Sequence, residues 1–116
     1  MIFKIRKVIT MNSMQQKVKD FNELAFAGGR KTTAESRMLD VISELGELSK
    51  EVLKATSYGE NSFKATRDFE LEFGDCLYSL LALANESGID AEKAVDAVLN
   101  KYANRIAAKN EMGSGR

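Results

Sequence analysis

Two short stretches of the chain each carry a pair of carboxylates three residues apart. ELGE contains Glu44 and Glu47, and EFGD contains Glu72 and Asp75. Residues three apart lie side by side on one face of a helix, so the two acids of each pair would point the same way. If the two helices pack antiparallel, the pairs can face each other as a four-carboxylate cluster. Such a cluster repels itself unless protons, lysine or arginine partners, or divalent cations compensate its charge.

Each helix taken alone leads to a different prediction. Glu44, Glu47 and Glu51 form one row, which on its own is typical of a solvated acidic face. Glu72 and Asp75, in contrast, are flanked by apolar residues on both sides. We therefore expect this second pair to be partly buried.

A glycine precedes the last acid of each pair, Gly46 in the first and Gly74 in the second. Glycine inside a helix costs about 1 kcal/mol against alanine. Its presence therefore predicts close approach by another helix or by a ligand.

The residue types that the chain lacks narrow the chemistry. Its 116 residues include no histidine and one cysteine, Cys76. Ser-His-Asp triads, Cys-His pairs and histidine-bound zinc are therefore excluded. A metal held here must be bound by oxygen, as Mg²⁺, Mn²⁺ or Ca²⁺ are. A lone cysteine forms no internal disulfide, so a reducing cytoplasm is the expected location.

The charge balance bears on possible partners. Seventeen basic and seventeen acidic residues give no net charge, which argues against nucleic acid bound through a general basic surface. The balance also gives no reason to expect an anionic membrane as a partner. Charges interrupt the short apolar segment at the N-terminus, so it resembles neither a signal peptide nor a membrane span.

Helical periodicity without strand-like alternation predicts an all-α fold, a four-helix bundle. The first helix covers about residues 13–27 and ends at Gly28-Gly29. Thr32 followed by Glu35 resembles a capping box that starts the second helix. That helix ends near Thr56, and its predicted apolar stripe consists of Met38, Val41, Ile42, Leu45, Leu48 and Val52.

The second half of the chain predicts two more helices. The third runs from about Phe63 to Ser87 and stops at Gly88, a residue suited to the position after a helix. Asp90 can cap the fourth helix, which extends towards Ala108. The third helix is too apolar for half of it to face water, and dimerisation through this helix or its neighbours would cover it.

These elements predict one domain with short appendages. Residues 1–12 are an N-terminal extension, residues 13–109 form the helical domain, and residues 110–116 form a mobile tail.

The order and spacing of these features resemble the MazG-like nucleotide pyrophosphohydrolases. The resemblance runs from about Met38 to Arg105. It rests on two acidic pairs of the form ExxE and ExxD separated by twenty-four residues, and on the segments SELGELSKEV, EFGDCLYSLLALANESGID and AVLNKYANR. It implies an all-α bundle that assembles as dimers or tetramers. The implied activity is Mg²⁺-dependent hydrolysis of nucleoside triphosphates to the monophosphate and pyrophosphate.

The resemblance also implies the metal ligands, namely Glu44, Glu47, Glu72 and Asp75. The family often has a second glutamate just before the first ligand, where this chain has Ser43. A supporting or base role at that position is therefore not carried over to this chain.

The implied reaction is metal-assisted attack of water on the α-phosphorus. Without histidine, the base must be a carboxylate or a hydroxide held by the metal. We choose Glu47 to help position the water. Glu51 is a possible accessory, although a solvated surface role fits it better.

Phosphates require cationic partners as well as a metal. Lys101, Asn104 and Arg105 share one face near the end of the fourth helix and resemble the family's C-terminal basic cluster. They could bind the β- and γ-phosphates, or they could simply complement the helix dipole. Lys54 and Arg67, at the turn between the second and third helices, are weaker candidates.

The base pocket is harder to predict than the metal site. Phe21, Asn22 and Phe26 of the first helix could stack on or hydrogen-bond a base, yet aromatic residues at helical spacing are more often core. Cys76, beside Asp75 in an apolar stripe, is expected to be a buried packing residue.

Two alternative functions stay open. One is a dUTP- or dCTP-selective enzyme of the same superfamily, which would share the acidic helices. The other is a non-catalytic helical oligomerisation module with an acidic surface.

Overall fold

The computed structural model of the chain describes residues 13–28 and 31–113. Within these ranges the chain forms four α-helices and no strand, which confirms the all-α prediction. In chain order the helices are α1 (Met14–Ala25), α2 (Ala34–Ala55), α3 (Arg67–Glu86) and α4 (Ala91–Gly113). No helix in the described ranges is long and apolar enough to cross a membrane.

The start of α2 is set by a cap one residue later than predicted. The Thr33 hydroxyl accepts a hydrogen bond from the backbone N–H of Ser36, and the Ser36 hydroxyl accepts one from the backbone N–H of Thr33. This reciprocal pair is the capping box, so the predicted pairing of Thr32 with Glu35 is wrong. The Thr32 hydroxyl instead donates to a carboxylate oxygen of Glu86 at 2.5 Å.

The start of α3 also lies later than predicted, at Arg67 instead of Phe63. Thr66 stops the helix from extending backwards because its side chain accepts a hydrogen bond from the backbone N–H of Phe69, as an N-cap does. Phe63 still packs on the helix, with its ring in edge-to-face contact with Phe69 at 5.0 Å between centroids.

The α3–α4 junction forms as predicted, but α4 continues further. Gly88 has a φ of +67°, and Asp90 caps α4 by accepting a hydrogen bond from the backbone N–H of Lys93. The helix continues to Gly113, past the predicted end at Ala108. It therefore occupies part of the segment predicted as a mobile tail. Residues 1–12 and 114–116 lie outside the described residues.

The packing centres on α3. It packs most extensively against α2, and α1 packs on it as well. The α2–α3 pair is antiparallel, because Thr32, just before α2, bonds Glu86 at the end of α3. Gln15 fastens α1 to the α3–α4 junction, where its side-chain amide donates to the carbonyl of Ile89 at 2.6 Å and accepts from the backbone N–H of Ala91 at 2.7 Å.

One face of α2 is buried against α3, and it includes only part of the apolar stripe predicted from the sequence, namely Val41 and Leu48. The residues on this inward face recur at helical spacing and are buried or half-buried: Arg37, Val41, Glu44, Leu48 and Glu51. Much of the predicted apolar stripe faces outward instead, since Met38, Ile42 and Leu45 are each 43% exposed or more. The inward face of α2 therefore places charged side chains in the interface between α2 and α3, which we call the seam.

The fourth helix extends away from the other three. It packs extensively against none of them, and residues 92–110 are all exposed. Its apolar side chains form one exposed stripe: Val95, Val98, Leu99, Tyr102 and Ile106. Three of the four helices thus pack together within the chain, and α4 offers an uncovered apolar face.

Candidate metal centre

The antiparallel α2–α3 pair brings three of the predicted metal ligands together. One carboxylate oxygen from each of Glu44, Glu72 and Asp75 lies within 4.8 Å of the others. Glu44 and Glu72 are half-buried in the seam, and Asp75 is exposed at its edge. One acid of the first pair therefore faces both acids of the second, and the donors are the oxygens that hard cations prefer.

The acidic cluster, Glu44, Glu72 and Asp75, concentrates negative charge around the Glu72 carboxylate. The pKa of Glu72 is raised, first by loss of hydration and then by the negative charges of Asp75, Glu44, Glu47 and Glu51. A divalent cation at the cluster would reverse the sign of the field at these oxygens and favour ionised carboxylates. The residues present therefore fit a hard cation.

Glu47 lies near the cluster but is not one of its three members. Its side chain is exposed, and its charge contributes to the raised pKa of Glu72. Its role as a fourth ligand or as a water-positioning group stays a prediction.

Glu51 is not the solvated surface residue that was expected. Its side chain is only 13% exposed, and it accepts a hydrogen bond from the Lys54 ammonium at 3.2 Å. This hydrogen bond, followed by the charge of Glu51, raises the pKa of Lys54. The pair places a lysine at the end of α2, in the same seam as the cluster.

The two helical glycines do not mark close approach by another helix. Within the described residues, no neighbouring side chain or other helix has an atom within 4 Å of the position that a Cβ would occupy at Gly46 or Gly74. The expectation of a tight contact with another helix is therefore wrong for this chain alone. Open space lies beside the acids and leaves them accessible to a ligand.

The predicted phosphate-binding residues of the fourth helix are not brought to the cluster. Lys101, Asn104 and Arg105 are exposed on α4, which does not pack on the α2–α3 seam. Arg67, the other weak candidate, pairs with Glu70 at 3.3 Å, with both side chains largely exposed.

Two of the three residues predicted to contact the base have identified roles in the structure. The Asn22 side-chain oxygen accepts a hydrogen bond from the Tyr78 hydroxyl at 2.5 Å and so ties α1 to α3. Phe26 is 40% exposed and borders a cavity. Phe21 is half-buried, as an ordinary packing residue would be.

Sequence reasoning missed Arg37, which is buried on the inward face of α2. Its guanidinium lies 5.8 Å from the centroid of the Tyr78 ring, and it pairs with Asp40 at 3.7 Å. The signal was present in the spacing, because Arg37 precedes Glu44 by seven residues and therefore lies on the same helix face.

Cys76 is half-buried beside the cluster. Burial raises the pKa of its thiol most, and the charges of Glu44, Glu72 and Asp75 raise it further. A thiol in this environment is a poor nucleophile at neutral pH, in keeping with a packing role.

The sequence of the chain was compared with those of known protein families. Residues 32–108 match the family described as the MazG nucleotide pyrophosphohydrolase domain, which is more than half of the chain. The chain belongs to this family. The match spans α2, α3 and most of α4, including the whole acidic cluster, and α1 lies outside it.

A relative of this MazG chain is the uncharacterized protein YpjD of Bacillus subtilis (strain 168). The two are 44% identical over 71 residues, which cover 59% of this chain and 62% of the relative. The match thus spans about three-fifths of the length of this relative. No solved structure matches the chain.

Proposed function

We propose that the protein is a Mg²⁺-dependent nucleoside triphosphate pyrophosphohydrolase, which converts NTPs or dNTPs to the monophosphate and pyrophosphate. The observation that carries this proposal is the convergence of Glu44, Glu72 and Asp75 within 4.8 Å, in a chain of the MazG family. A cluster of three carboxylates suits a cation that handles phosphates.

In this proposal Glu44, Glu72 and Asp75 hold Mg²⁺, with Mn²⁺ as a possible replacement. A bound cation would neutralise phosphate oxygens and lower the pKa of the attacking water. Glu47, exposed beside the cluster, completes the ligand set or orients the water for in-line attack on the α-phosphorus. No histidine competes for this role, since the chain contains none.

The pyrophosphate end of the substrate requires cations from the protein. Lys54 is held at the same α2–α3 seam by its bond to Glu51, and we assign it to the leaving pyrophosphate. Lys101, Asn104 and Arg105 occupy a row on α4 next to the exposed apolar stripe of that helix.

We propose that this stripe packs against a second copy of the chain, in a homodimer or homotetramer. This packing would bring the polar row of α4 to an acidic cluster of the assembly. Outward-facing Met38, Ile42 and Leu45 on α2 give the second copy more apolar surface to cover. The mass in solution, measured by light scattering at micromolar concentration, tests the assembly. A monomeric mass would contradict it.

The test of the reaction is a panel assay with separated products. Purified protein is incubated with each common NTP and dNTP and Mg²⁺, and nucleotide and pyrophosphate are resolved. We expect monophosphate with pyrophosphate, abolished in Glu72→Gln. Glu70→Gln is the matched control, because Glu70 lies on the same helix but is 69% exposed and bonded to Arg67; it should keep full activity.

The other outcomes of this assay separate the competing functions. Turnover restricted to dUTP or dCTP would identify a pyrimidine-selective member of the superfamily. Diphosphate with orthophosphate would contradict the proposed bond cleavage. An absence of turnover with every nucleotide, in folded protein, would favour the non-catalytic oligomerisation module.

A further inference from the structure

A cavity of about 330 Å³ lies between α1, the residues before α2 and the end of α3. This volume falls in the range of small-ligand sites. We propose that the cavity binds the base of the nucleotide and selects 6-oxopurines, guanine or hypoxanthine, over adenine. This inference rests on the proposed function, because it takes the nucleotide as the ligand.

The first observation is an arginine without a full set of partners. The Arg37 side chain lines the cavity and is 9% exposed. Its Nε is buried and has no hydrogen-bond partner among the described residues. Its ion pair with Asp40 is long, at 3.7 Å, and Asp40 is mostly solvated. A buried guanidinium with an unsatisfied donor costs stability, and a ligand that supplies an acceptor would recover that cost.

The second observation is the mixture of donors and acceptors around the cavity. Arg37 and Lys31 are cationic, whereas Glu23 and Glu86 are carboxylates. Glu86 is oriented by the Thr32 hydroxyl, which donates to it at 2.5 Å. The cavity therefore offers hydrogen-bond donors as well as acceptors to one ligand.

Guanine presents complementary groups. Its O6 and N7 are adjacent acceptors, the pair that arginine bonds with both ends of its fork. On the next edge, its N1–H and amino group are donors that suit a carboxylate. Adenine carries an amino group in place of O6, which would set a donor against the arginine. The ring of Phe26, 40% exposed at the border of the cavity, offers a face for stacking.

The third observation is the position of the cavity relative to the acidic cluster. Arg37 lies seven residues before Glu44 on the inward face of α2, about two turns or 10 Å along the helix. Tyr78, beneath the Arg37 guanidinium, follows Asp75 by three residues on α3. Cavity and cluster thus lie along one seam, so a single nucleotide can place its base at Arg37 and its α-phosphate at the cluster. Lys54, towards the opposite end of α2, is then on the pyrophosphate side.

Part of the pocket lies outside the segment that matches the MazG family. Glu23 and Phe26 lie outside residues 32–108, which match the MazG family. The acidic cluster lies inside the matched segment. Base selection would therefore depend in part on a helix that the family match does not include.

The test compares kcat/KM for GTP, ITP and ATP in wild type and in Arg37→Gln. We expect the wild type to prefer GTP and ITP over ATP by about tenfold or more, as a two-bond arginine contact does. Arg37→Gln should lose that preference through a fall in the GTP and ITP values, with little change for ATP. An arginine with only a structural role would lower all three values alike. Lys50→Gln removes an exposed cation of the same helix and should leave the ratio unchanged.

Further measurements keep the proposal testable if Arg37→Gln does not fold. Glu86→Gln changes an exposed side chain and should lower kcat/KM for GTP more than for ITP, because only guanine has the amino group. Phe26→Ala should lower kcat/KM for all three nucleotides. An unchanged GTP-to-ATP ratio in folded Arg37→Gln, or in Glu86→Gln if Arg37→Gln does not fold, would overturn the proposal.

Binding without metal separates this proposal from the proposed reaction. Calorimetric titration with GMP and AMP in EDTA should show tighter binding of GMP, lost in Arg37→Gln or in Glu86→Gln. GMP binding without hydrolysis of any triphosphate would support the proposed base pocket and contradict the proposed reaction. Hydrolysis without a purine preference would keep the reaction and reject the base pocket.

Discussion

Metal binding at the acidic cluster should be measurable as folding stability, without any nucleotide. Glu44, Glu72 and Asp75 place carboxylate oxygens within 4.8 Å of one another, and loss of hydration followed by nearby negative charges raises the pKa of Glu72. A divalent cation that binds only the folded cluster stabilises it by mass action. We expect Mg²⁺ or Mn²⁺ to raise the melting temperature of wild type and to have little effect on Glu72→Gln.

The size of the response follows from the binding equilibrium and the chain length. At a metal concentration of ten times Kd, one site contributes about 1.4 kcal/mol. For 116 residues, the unfolding entropy converts about 1 kcal/mol into about 4 °C. The expected rise is therefore about 6 °C in wild type. Glu72→Gln removes one of three ligands, so its rise at the same concentration should be below about 2 °C.

Without metal, the Glu72→Gln substitution should stabilise the protein at neutral pH instead of weakening it. Because the pKa of Glu72 is raised in the folded state, the folded state holds its proton to a higher pH than the unfolded chain. Stability from this group is present at low pH and is lost as pH rises through the interval between the two pKa values. In EDTA, Glu72→Gln should therefore gain stability relative to wild type as the pH rises from about 4 to 7. Added Mg²⁺ should reverse that order at pH 7.

The assay is thermal unfolding followed by circular dichroism at one protein concentration, since an oligomer melts in a concentration-dependent way. Glu70→Gln removes an exposed carboxylate of the same helix and should respond to Mg²⁺ as wild type does. Equal Mg²⁺ responses in Glu72→Gln and wild type would refute the assignment of Glu72 as a ligand. A wild type that does not respond to either metal would refute the site itself.

Three further predictions test the fold. Leu81→Ala, at a side chain 7% exposed in α3, should cost about 2–5 kcal/mol in urea unfolding, whereas Leu39→Ala, 68% exposed, should cost less than about 0.5 kcal/mol; equal costs would contradict the described core. Thr66→Ala should lower the free energy of unfolding by about 1 kcal/mol through loss of the α3 cap. An unchanged free energy of unfolding would contradict this cap and the start of α3 at Arg67. Cys76 should react with a disulfide reagent more slowly in the native protein than in urea, because burial raises its pKa; a faster native reaction would contradict that environment.

The sequence predicted some of the features that depend on one helix at a time, although it misplaced the α2 cap and the start of α3. The Asp90 cap and the turn at Gly88 have local signals, and both formed where expected. Three of the four acids also met, because the packing of adjacent antiparallel helices brings Glu44 to Glu72 and Asp75.

Features that depend on the partner helix were not predictable in this way. Periodicity shows that α2 has two faces, but the neighbouring helix decides which of them is covered. The side that faces α3 holds Arg37 and Glu51 as well as Glu44, whereas Met38 and Ile42 face outward. The hydrophobicity pattern placed Met38 and Ile42 in the buried stripe and Glu51 on the solvated face, because burying charge is favourable only where a partner or a ligand compensates it.

The charged seam and the exposed apolar surfaces have one physical explanation. A seam that carries Glu44, Glu72 and Arg37 gives little stabilisation to the single chain, whose buried apolar residues in the described ranges are Val41, Leu81 and Ala82. In proteins most of the stability of a helix comes from packing of its apolar face, and α4 packs extensively against none of the other three described helices. In our proposal a second copy supplies that packing, and it does so on faces that do not include the charged seam. Assembly would therefore stabilise the fold while leaving the acidic cluster and its neighbouring cavity open to the nucleotide.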